Sequence, residues 1–323
     1  MKTRTQVLIG AGVFGAYALR AVPDLRHGAW GEALLLFAAG VLVPIVLDLL
    51  PDKRDDALTA RWLTFVRRLQ FAAVLSLLFA YLLPPGIFAS LAAVPWACVL
   101  VILALVGGRR VLSRGLNPVS LLCRDLGLMY AAIGAVWLLS DRLGFRPLGF
   151  DPAIVLLTAV HFHYAGLLLP VLTGLALAAM EPKRLFSFIG LGVIAGVPAV
   201  AIGITATQLR LDPRIELGAT LVMALSGLCV AMLYLRLAMQ ARWPAGARVL
   251  WLTAGLSLAA GMVLAVLYGV RYFFHPFPWV DLPWMRALHG SANALGFGLC
   301  GVLGWRFCGE KYVSLAPRIE KNA

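Results

Sequence analysis

The chain has 323 residues, of which 61% are hydrophobic and 13% are charged, and its mean hydropathy is +0.88. A soluble domain carries about 25% charged residues, so this composition excludes an ordinary soluble protein and indicates a membrane protein. The net charge of +13 does not indicate a nucleic-acid partner, because the Lys and Arg residues lie in short clusters between apolar segments.

Ten apolar segments each come near the roughly 20 residues that a membrane-spanning helix needs. The first follows Lys2 and Arg4 but lacks a small-residue cleavage site, so we expect an uncleaved span rather than a signal peptide. Pro84-Pro85-Gly86 predicts a tight hairpin between the third and fourth spans. The predicted spans are residues 6–22, 30–50, 66–83, 87–107, 125–140, 153–180, 186–208, 216–238, 248–269 and 285–306.

The basic residues are distributed unequally between the two ends of these spans. With the N-terminus inside, the inner segments hold 20 of the 28 Lys and Arg residues and the outer loops hold 8. This excess fits the positive-inside rule. We therefore predict an all-α polytopic transmembrane helix bundle of about ten spans, with both termini cytoplasmic. It forms a single integral membrane domain over residues 1–323, and we find no convincing internal repeat.

Gly10-Ala-Gly12-Val-Phe-Gly15 matches the GxGxxG pattern of dinucleotide-binding proteins. That pattern binds a nucleotide only between a strand and a helix, with an acidic residue on a second strand. Here the glycines lie inside an apolar segment, and the next element is another apolar span. The pattern therefore predicts close helix packing through small residues rather than a nucleotide site.

Two histidines and a tyrosine interrupt the sixth span, where residues 153–180 include no Asp, Glu, Lys or Arg. An imidazole at this depth is costly unless it is hydrogen-bonded or bound to a metal. His161 and His163 are separated by about 200° around a regular helix and cannot both ligate one metal from it. Tyr164 lies nearer to the face of His161. Pro170 removes a backbone hydrogen bond and predicts a local distortion of the helix.

The tenth span also has a polar face. His289 and Asn293 are four residues apart and therefore lie on one side of a helix. Gly290, Ala294 and Gly298 repeat at an interval that lets a neighbouring helix approach closely. This combination predicts one wall of a binding site, although simple hydrogen bonding between helices explains the same residues.

The predicted orientation places these polar groups in the outer half of the membrane. His161 and His163 are about 12–15 Å from the outer end of their span, and Glu216, His289 and Asn293 are nearer to the outer ends of theirs. If one site exists, it should open outward. Two further histidines are predicted to lie in outer loops as solvated or interfacial residues, His27 and His275.

Carboxylates near the ends of spans have a simpler explanation. Asp48 and Asp125 lie at the predicted inner surface, and each is expected to pair with a nearby arginine. Glu216 is expected to pair with Arg210 or Arg214, which are close in sequence.

His161-Phe-His163-Tyr164 is similar to a string found in heme–copper oxidase subunit I, where two histidines ligate two hemes on opposite helix faces. The resemblance covers only four residues, and the adjacent histidine pair and the His-Pro-Glu segment of that family are missing. Oxidase activity is therefore not expected, and heme binding is a minor alternative.

A longer resemblance involves two segments. His161-Phe-His-Tyr-Ala-Gly166 with Pro170 downstream, together with His289-Gly-x-x-Asn293-Ala-x-Gly-Phe297, resembles the YndJ-like family of bacterial membrane proteins. The resemblance implies a multispan protein of the bacterial inner membrane, and members of the family are sometimes labelled transporters. It implies no particular activity, substrate or catalytic residue.

Our leading hypothesis is a membrane carrier or binding protein with a polar pocket in the outer half of the membrane. The alternatives are an intramembrane enzyme acting on a lipophilic substrate, and a metal- or heme-binding membrane protein with His161 or His289 as ligands. The sequence leaves the cofactor and any catalytic residue unknown. Expected partners are membrane lipids and a small-molecule or lipophilic substrate, not nucleic acid. The pocket residues that we predict are His161, His163, Tyr164, Glu216, His289 and Asn293.

Overall fold

A computed structural model describes residues 3–20, 25–26, 28–180, 184–274 and 277–309. Those residues form ten helices longer than a single turn and no β-strand. His27 and His275 lie outside the described residues. The helices are α1 (Thr3–Ala18), α2 (Gly28–Leu49), α3 (Ala57–Leu82), α4 (Ile87–Arg114), α5 (Val119–Leu143), α6 (Pro152–Ala178), α7 (Arg184–Gln208), α8 (Arg214–Met239), α9 (Ala245–Tyr272) and α10 (282–308).

The prediction of a polytopic helical membrane protein is confirmed. Eight helices, α2 to α9, are long and apolar enough to cross a membrane, and each contains or overlaps one predicted span. The first predicted span, residues 6–22, corresponds to the 16-residue helix α1, and the last corresponds to α10. The predicted orientation, with both termini cytoplasmic, stays a prediction.

Aspartates and prolines set the beginnings of several helices. Asp56 accepts a hydrogen bond from the backbone N–H of Thr59 at 2.9 Å and begins α3. Asp151 begins α6 in the same way, with Pro152 in the first turn, where its missing N–H costs nothing. Asp281 begins α10. These caps place the first turns of α3, α6 and α10.

Three helices contain wider, π-helical turns. They occur at Ala38–Leu42 in α2, at Phe162–Leu168 in α6, and at Met285–His289 and Ala292–Leu299 in α10. Such turns are rare and often lie at functional sites, because they leave backbone carbonyls without their usual partners.

In α2 and α6 the wide turn lies just before a proline in the same short motif. Ala39-Gly-Val-Leu-Val-Pro44 and Ala165-Gly-Leu-Leu-Leu-Pro170 share the pattern Ala-Gly-X-Leu-X-Pro. Proline lacks the N–H that would bond the carbonyl four residues earlier, which is a glycine carbonyl in both motifs. The distortion expected from Pro170 is confirmed, and the motif is a short internal repeat that the sequence analysis missed.

The described helices group into two compact units. The first unit holds residues 1–115 and 125–168, and the second holds residues 116–124 and 169–323. Helices α5 and α6 each contribute residues to both units. The prediction of a single membrane domain therefore stays a prediction.

The first unit contains buried ion pairs at the predicted inner ends of α3 to α5. Arg110 donates to Asp55 at 2.6 Å and lies 3.7 Å from Asp125, and Arg114 binds the other oxygen of Asp55 at 2.7 Å. Asp125 therefore pairs with arginines, as expected, though from α4. Buried charges are tolerated in this arrangement because each lies beside a group of opposite charge.

The glycines of α1 have a packing role. A Cβ atom added to Gly10 would collide with the backbone carbonyl of Gly40 in α2, whereas Gly12 and Gly15 have open space around them. Gly10 thus lets two helices meet backbone to backbone, which agrees with the packing role predicted for the GxGxxG segment.

The core of the second unit is aromatic. The indole rings of Trp251 and Trp305 are 4.7 Å apart, and Trp243 packs edge-on against Trp251. Trp305 donates to the hydroxyl of Tyr234 at 2.9 Å, and Tyr234 donates to the carbonyl of Leu172 at 3.1 Å. These contacts join α6, α8, α9 and α10 within the unit.

Candidate functional site

The first group of predicted site residues lies at the wide turn of α6. His161 is the last residue before the turn, and His163 and Tyr164 are inside it. Because a π-helical turn contains more residues than an α-helical turn, it changes the directions in which these side chains point.

His163 is buried, with 1% of its surface exposed. Its Nδ1 lies 2.8 Å from the carbonyl oxygen of Ala159, which can only accept, so Nδ1 carries the proton. Its Nε2 then accepts a hydrogen bond from the indole N–H of Trp96 at 3.0 Å. Both ring nitrogens are therefore used within the protein, and His163 connects α4 to α6 without a nitrogen left for a metal or solute.

Tyr164 and His161 make different contacts within the first unit. The hydroxyl of Tyr164 donates to the backbone carbonyl of Leu34 in α2 at 2.7 Å. His161 is half-buried, and its ring lies edge-on to that of Phe162 with 6.0 Å between centroids. Tyr164 is thus a link between α2 and α6.

His289 and Asn293 contact each other on α10, as their spacing predicts. The Nδ1 atom of His289 lies 2.8 Å from the backbone carbonyl of Gly261 in α9. This carbonyl assigns a proton to Nδ1, and in the neutral ring Nε2 is then an acceptor. The side-chain amide nitrogen of Asn293 donates to Nε2 at 3.1 Å and to the backbone carbonyl of His289 at 2.9 Å.

One polar atom of this pair, the side-chain oxygen of Asn293, makes no hydrogen bond. Both amide protons of Asn293 are used, but its Oδ1 is buried and has no hydrogen-bond partner. Turning the amide over would direct Oδ1 at two acceptors, Nε2 and the carbonyl of His289, so the assignment follows from the Gly261 contact. A buried polar atom without a partner is rare and needs an explanation.

The absence of a side chain at Gly261 makes room for this amide. A Cβ at Gly261 would lie 2.8 Å from Nδ2 and 2.9 Å from Oδ1 of Asn293. Further along the same two helices, a Cβ at Gly296 or Gly304 would collide with Ser257 or Trp251. Gly296 and Gly304 therefore let α10 approach α9 closely, and the seam predicted at Gly290, Ala294 and Gly298 stays a prediction.

Glu216 has other partners than its sequence neighbours suggest. Arg271 at the end of α9 donates to its Oε1 at 2.8 Å, and the hydroxyl of Thr207 in α7 donates to its Oε2 at 2.5 Å. The expected pairing with Arg210 or Arg214 is replaced by a contact between helices distant in sequence. Glu216 is buried and holds α7, α8 and α9 together.

The predicted site residues divide between the two units. His161, His163 and Tyr164 belong to the first unit, and Glu216, His289 and Asn293 belong to the second. Among the residues that the structure describes, no group of three or more His, Cys, Asp or Glu side chains is placed to hold a metal ion. The shared pocket stays a prediction.

Sequence reasoning missed the partners Trp96 and Gly261, since nothing local marks an indole or a backbone carbonyl as the partner of a distant histidine. Gln70 was also missed. Its amide nitrogen donates to the carbonyl of Ala39 at 3.1 Å, inside the wide turn of α2. A glutamine within a predicted span was the signal that could have found it.

Comparisons with known proteins agree with this description. No solved structure matches the chain. A protein of Bacillus subtilis (strain 168) described as "Uncharacterized membrane protein YndJ" is 30% identical over 185 residues, which is 56% of this chain and 32% of the relative. The chain thus matches about a third of that relative's length. The family model of YndJ-like proteins matches residues 33–297, and the chain therefore belongs to the YndJ-like family of membrane proteins.

Proposed function

We propose that the protein is a carrier or binding protein of the bacterial inner membrane, and that its solute-binding group is the His289–Asn293 pair. The observation that carries this proposal is the buried Oδ1 of Asn293, which has no hydrogen-bond partner while every donor of the same amide is used. An acceptor held rigidly in this way is suited to a hydrogen-bond donor on a ligand.

The chemistry of the pair indicates the class of solute. The Gly261 carbonyl places a proton on Nδ1 of His289, and the hydrogen bonds of the pair involve no charged side chain. A small uncharged molecule with a hydroxyl or amide N–H fits an amide oxygen in such surroundings. A free cation would find no carboxylate among the hydrogen-bond partners of the pair.

The position of the pair agrees with a solute that enters from outside. α10 begins at residue 282, and under the predicted orientation Asn293 lies about 16 Å from its outer end, at 1.5 Å per residue. The proposed binding group does not include His163, Tyr164 or Glu216, because their side chains make hydrogen bonds within the protein.

At His289 the enzyme and metal alternatives have less support. A general base or a metal ligand needs a ring nitrogen free to face its partner, and both nitrogens of His289 are engaged. Elemental analysis and visible absorption of the purified protein test the metal alternative. A stoichiometric metal or heme that disappears in His289→Ala would overturn the solute proposal.

The test is a thermal-stability screen of the purified protein in lipid nanodiscs, with a panel of polyols, sugars, amides and nucleosides. A solute at about 100 times its Kd should stabilise the wild-type protein by about 2.7 kcal/mol and raise its Tm by several degrees. The Asn293→Leu variant should lose this shift. Thr173→Val is the matched control, because Thr173 is a buried hydroxyl without a partner in the same unit.

The same solute in proteoliposome uptake then separates a carrier from a protein that only binds. A Tm shift that survives in Asn293→Leu, or a panel that leaves the wild-type Tm unchanged, would contradict the proposed site.

A further inference from the structure

A crevice in the first unit is lined by apolar residues and by two glutamines. It lies between α1, α2 and α3 and is lined by nine residues, most of them apolar. Two glutamines from different helices, Gln6 and Gln70, face it together with Gly10 and Gly40. It does not include any residue of the proposed solute site.

Gln70 is the polar group at the bottom of the crevice. Its side chain is buried, with 1% of its surface exposed. The amide nitrogen is used by the carbonyl of Ala39, but Oε1 has no hydrogen-bond partner. Ala39 needs this donor because the N–H of Val43 bonds Ala38 instead in the wide turn.

The backbone supplies a second acceptor. Pro44 lacks the N–H that would reach the carbonyl of Gly40 in a regular helix. This carbonyl points toward Gly10, which also lines the crevice. The lining of the crevice therefore combines two residues with an oxygen acceptor, Gln70 and Gly40, with the side chain of Gln6.

The size and the charge of the crevice select its occupant. The space admits about one water molecule. A monovalent cation would fit by size, but the nine lining residues include no carboxylate to balance its charge, and an unpaired charge in apolar surroundings is very costly. A water molecule has two protons for the two acceptors and can accept from Gln6.

We propose that this crevice binds one water molecule, which donates to Oε1 of Gln70 and to the carbonyl of Gly40 and accepts from the amide of Gln6. Buried waters of this kind have about three hydrogen-bond partners and complete the hydrogen bonding of irregular backbone. The water thus belongs to the wide turn of α2, in the middle of a membrane helix.

The test uses magnetisation transfer from water to labelled glutamine side chains in solid-state NMR of the full-length protein in lipid. The chain has four glutamines, Gln6, Gln70, Gln208 and Gln240, so the Gln70 signal can be assigned by its loss in Gln70→Met. The expected result is rapid transfer from water to the buried Gln70 side chain.

Two variants that fill the crevice provide the control. Val13→Leu and Ile9→Phe enlarge lining residues on α1 and keep both glutamines, and either folded variant should lose most of the transfer to Gln70. Val136→Leu, at an exposed position of α5, should keep it. Absence of transfer in the wild type, or transfer that persists in a folded filling variant, would overturn the proposal. A Gln70 signal that moves when Na⁺ replaces K⁺ would also overturn it, in favour of a cation.

Discussion

His163 in the first unit and His289 in the second make the same two kinds of hydrogen bond. They differ in whether the side chain that donates to the ring keeps an unbonded polar atom. Each ring donates from Nδ1 to a backbone carbonyl and accepts at Nε2 from a side-chain N–H. The partner of His163 is the indole of Trp96, which has one proton and no acceptor. The partner of His289 is the amide of Asn293, whose oxygen remains unbonded. The type of donor, rather than the histidine, separates the fully bonded contact of His163 from the proposed binding group at Asn293.

The contrast predicts that the two regions respond oppositely to substitution. Polar groups that are fully hydrogen-bonded within the protein should matter for stability and not for solute binding, since they have no free donor or acceptor for a solute. A residue that keeps an unbonded atom should contribute little to stability and much to binding, which is the usual pattern for functional residues.

The largest effect on stability is expected for His163→Leu. This change leaves the buried indole N–H of Trp96 without an acceptor, which costs roughly 1–3 kcal/mol. Trp96→Phe should also destabilise, and the double variant should lose less than the sum of the single changes. The free energy of unfolding in bicelles, measured by steric trapping, checks this. Strict additivity would contradict the contact.

A loss of the same order is expected for Gly261→Ala. The new Cβ would lie within 3 Å of the Asn293 amide and should cost about 1–3 kcal/mol through overpacking. The same variant should lose the solute-induced Tm shift, because Oδ1 is displaced. Gly12→Ala is the control: nothing lies within 4 Å of its added Cβ, so its stability should be unchanged or slightly higher.

A modest loss is expected for Tyr164→Phe. The hydroxyl makes one hydrogen bond, to the Leu34 carbonyl, and such bonds between membrane helices contribute about 0.6 kcal/mol on average. Solute binding should be unaffected, since Tyr164 is in the first unit. A Tyr164→Phe protein that keeps wild-type stability but no longer responds to the solute would move the binding site to α6.

No net loss of stability is expected for Asn293→Leu, because its gains and losses oppose each other and should leave the free energy of unfolding within about 1 kcal/mol of wild type in either direction. The variant loses the bonds to His289 but also removes a buried oxygen without a partner, and Leu has a similar size and branching. Unfolding measurements on the solute-free protein check this. A loss as large as that of His163→Leu would show that Asn293 is mainly structural.

The sequence was sufficient for features that depend on local pattern. Span positions follow from apolar length, the distortion of α6 follows from Pro170, and the shared face of His289 and Asn293 follows from their spacing of four. Each of these needs only the geometry of one helix.

The partners across helices could not be predicted. Glu216 was expected to pair with an arginine nearby in sequence, yet it binds Arg271, which is 55 residues away. Trp96 is 67 residues from His163. Such contacts depend on which helices are neighbours and on their rotation, and the wide turns alter that rotation in ways that spacing alone does not encode.

The protonated nitrogen of His289 tests the account most directly, because it determines which end of the Asn293 amide is left for a ligand. The chain has five histidines, so ring ¹⁵N labelling gives few signals, and His163→Leu and His289→Leu assign the two of interest. The account predicts a neutral ring with the proton on Nδ1 and a bare Nε2 for both residues. A proton on Nε2 of His289 would reverse the Asn293 amide, leave its N–H groups in place of the oxygen, and contradict the proposed binding group.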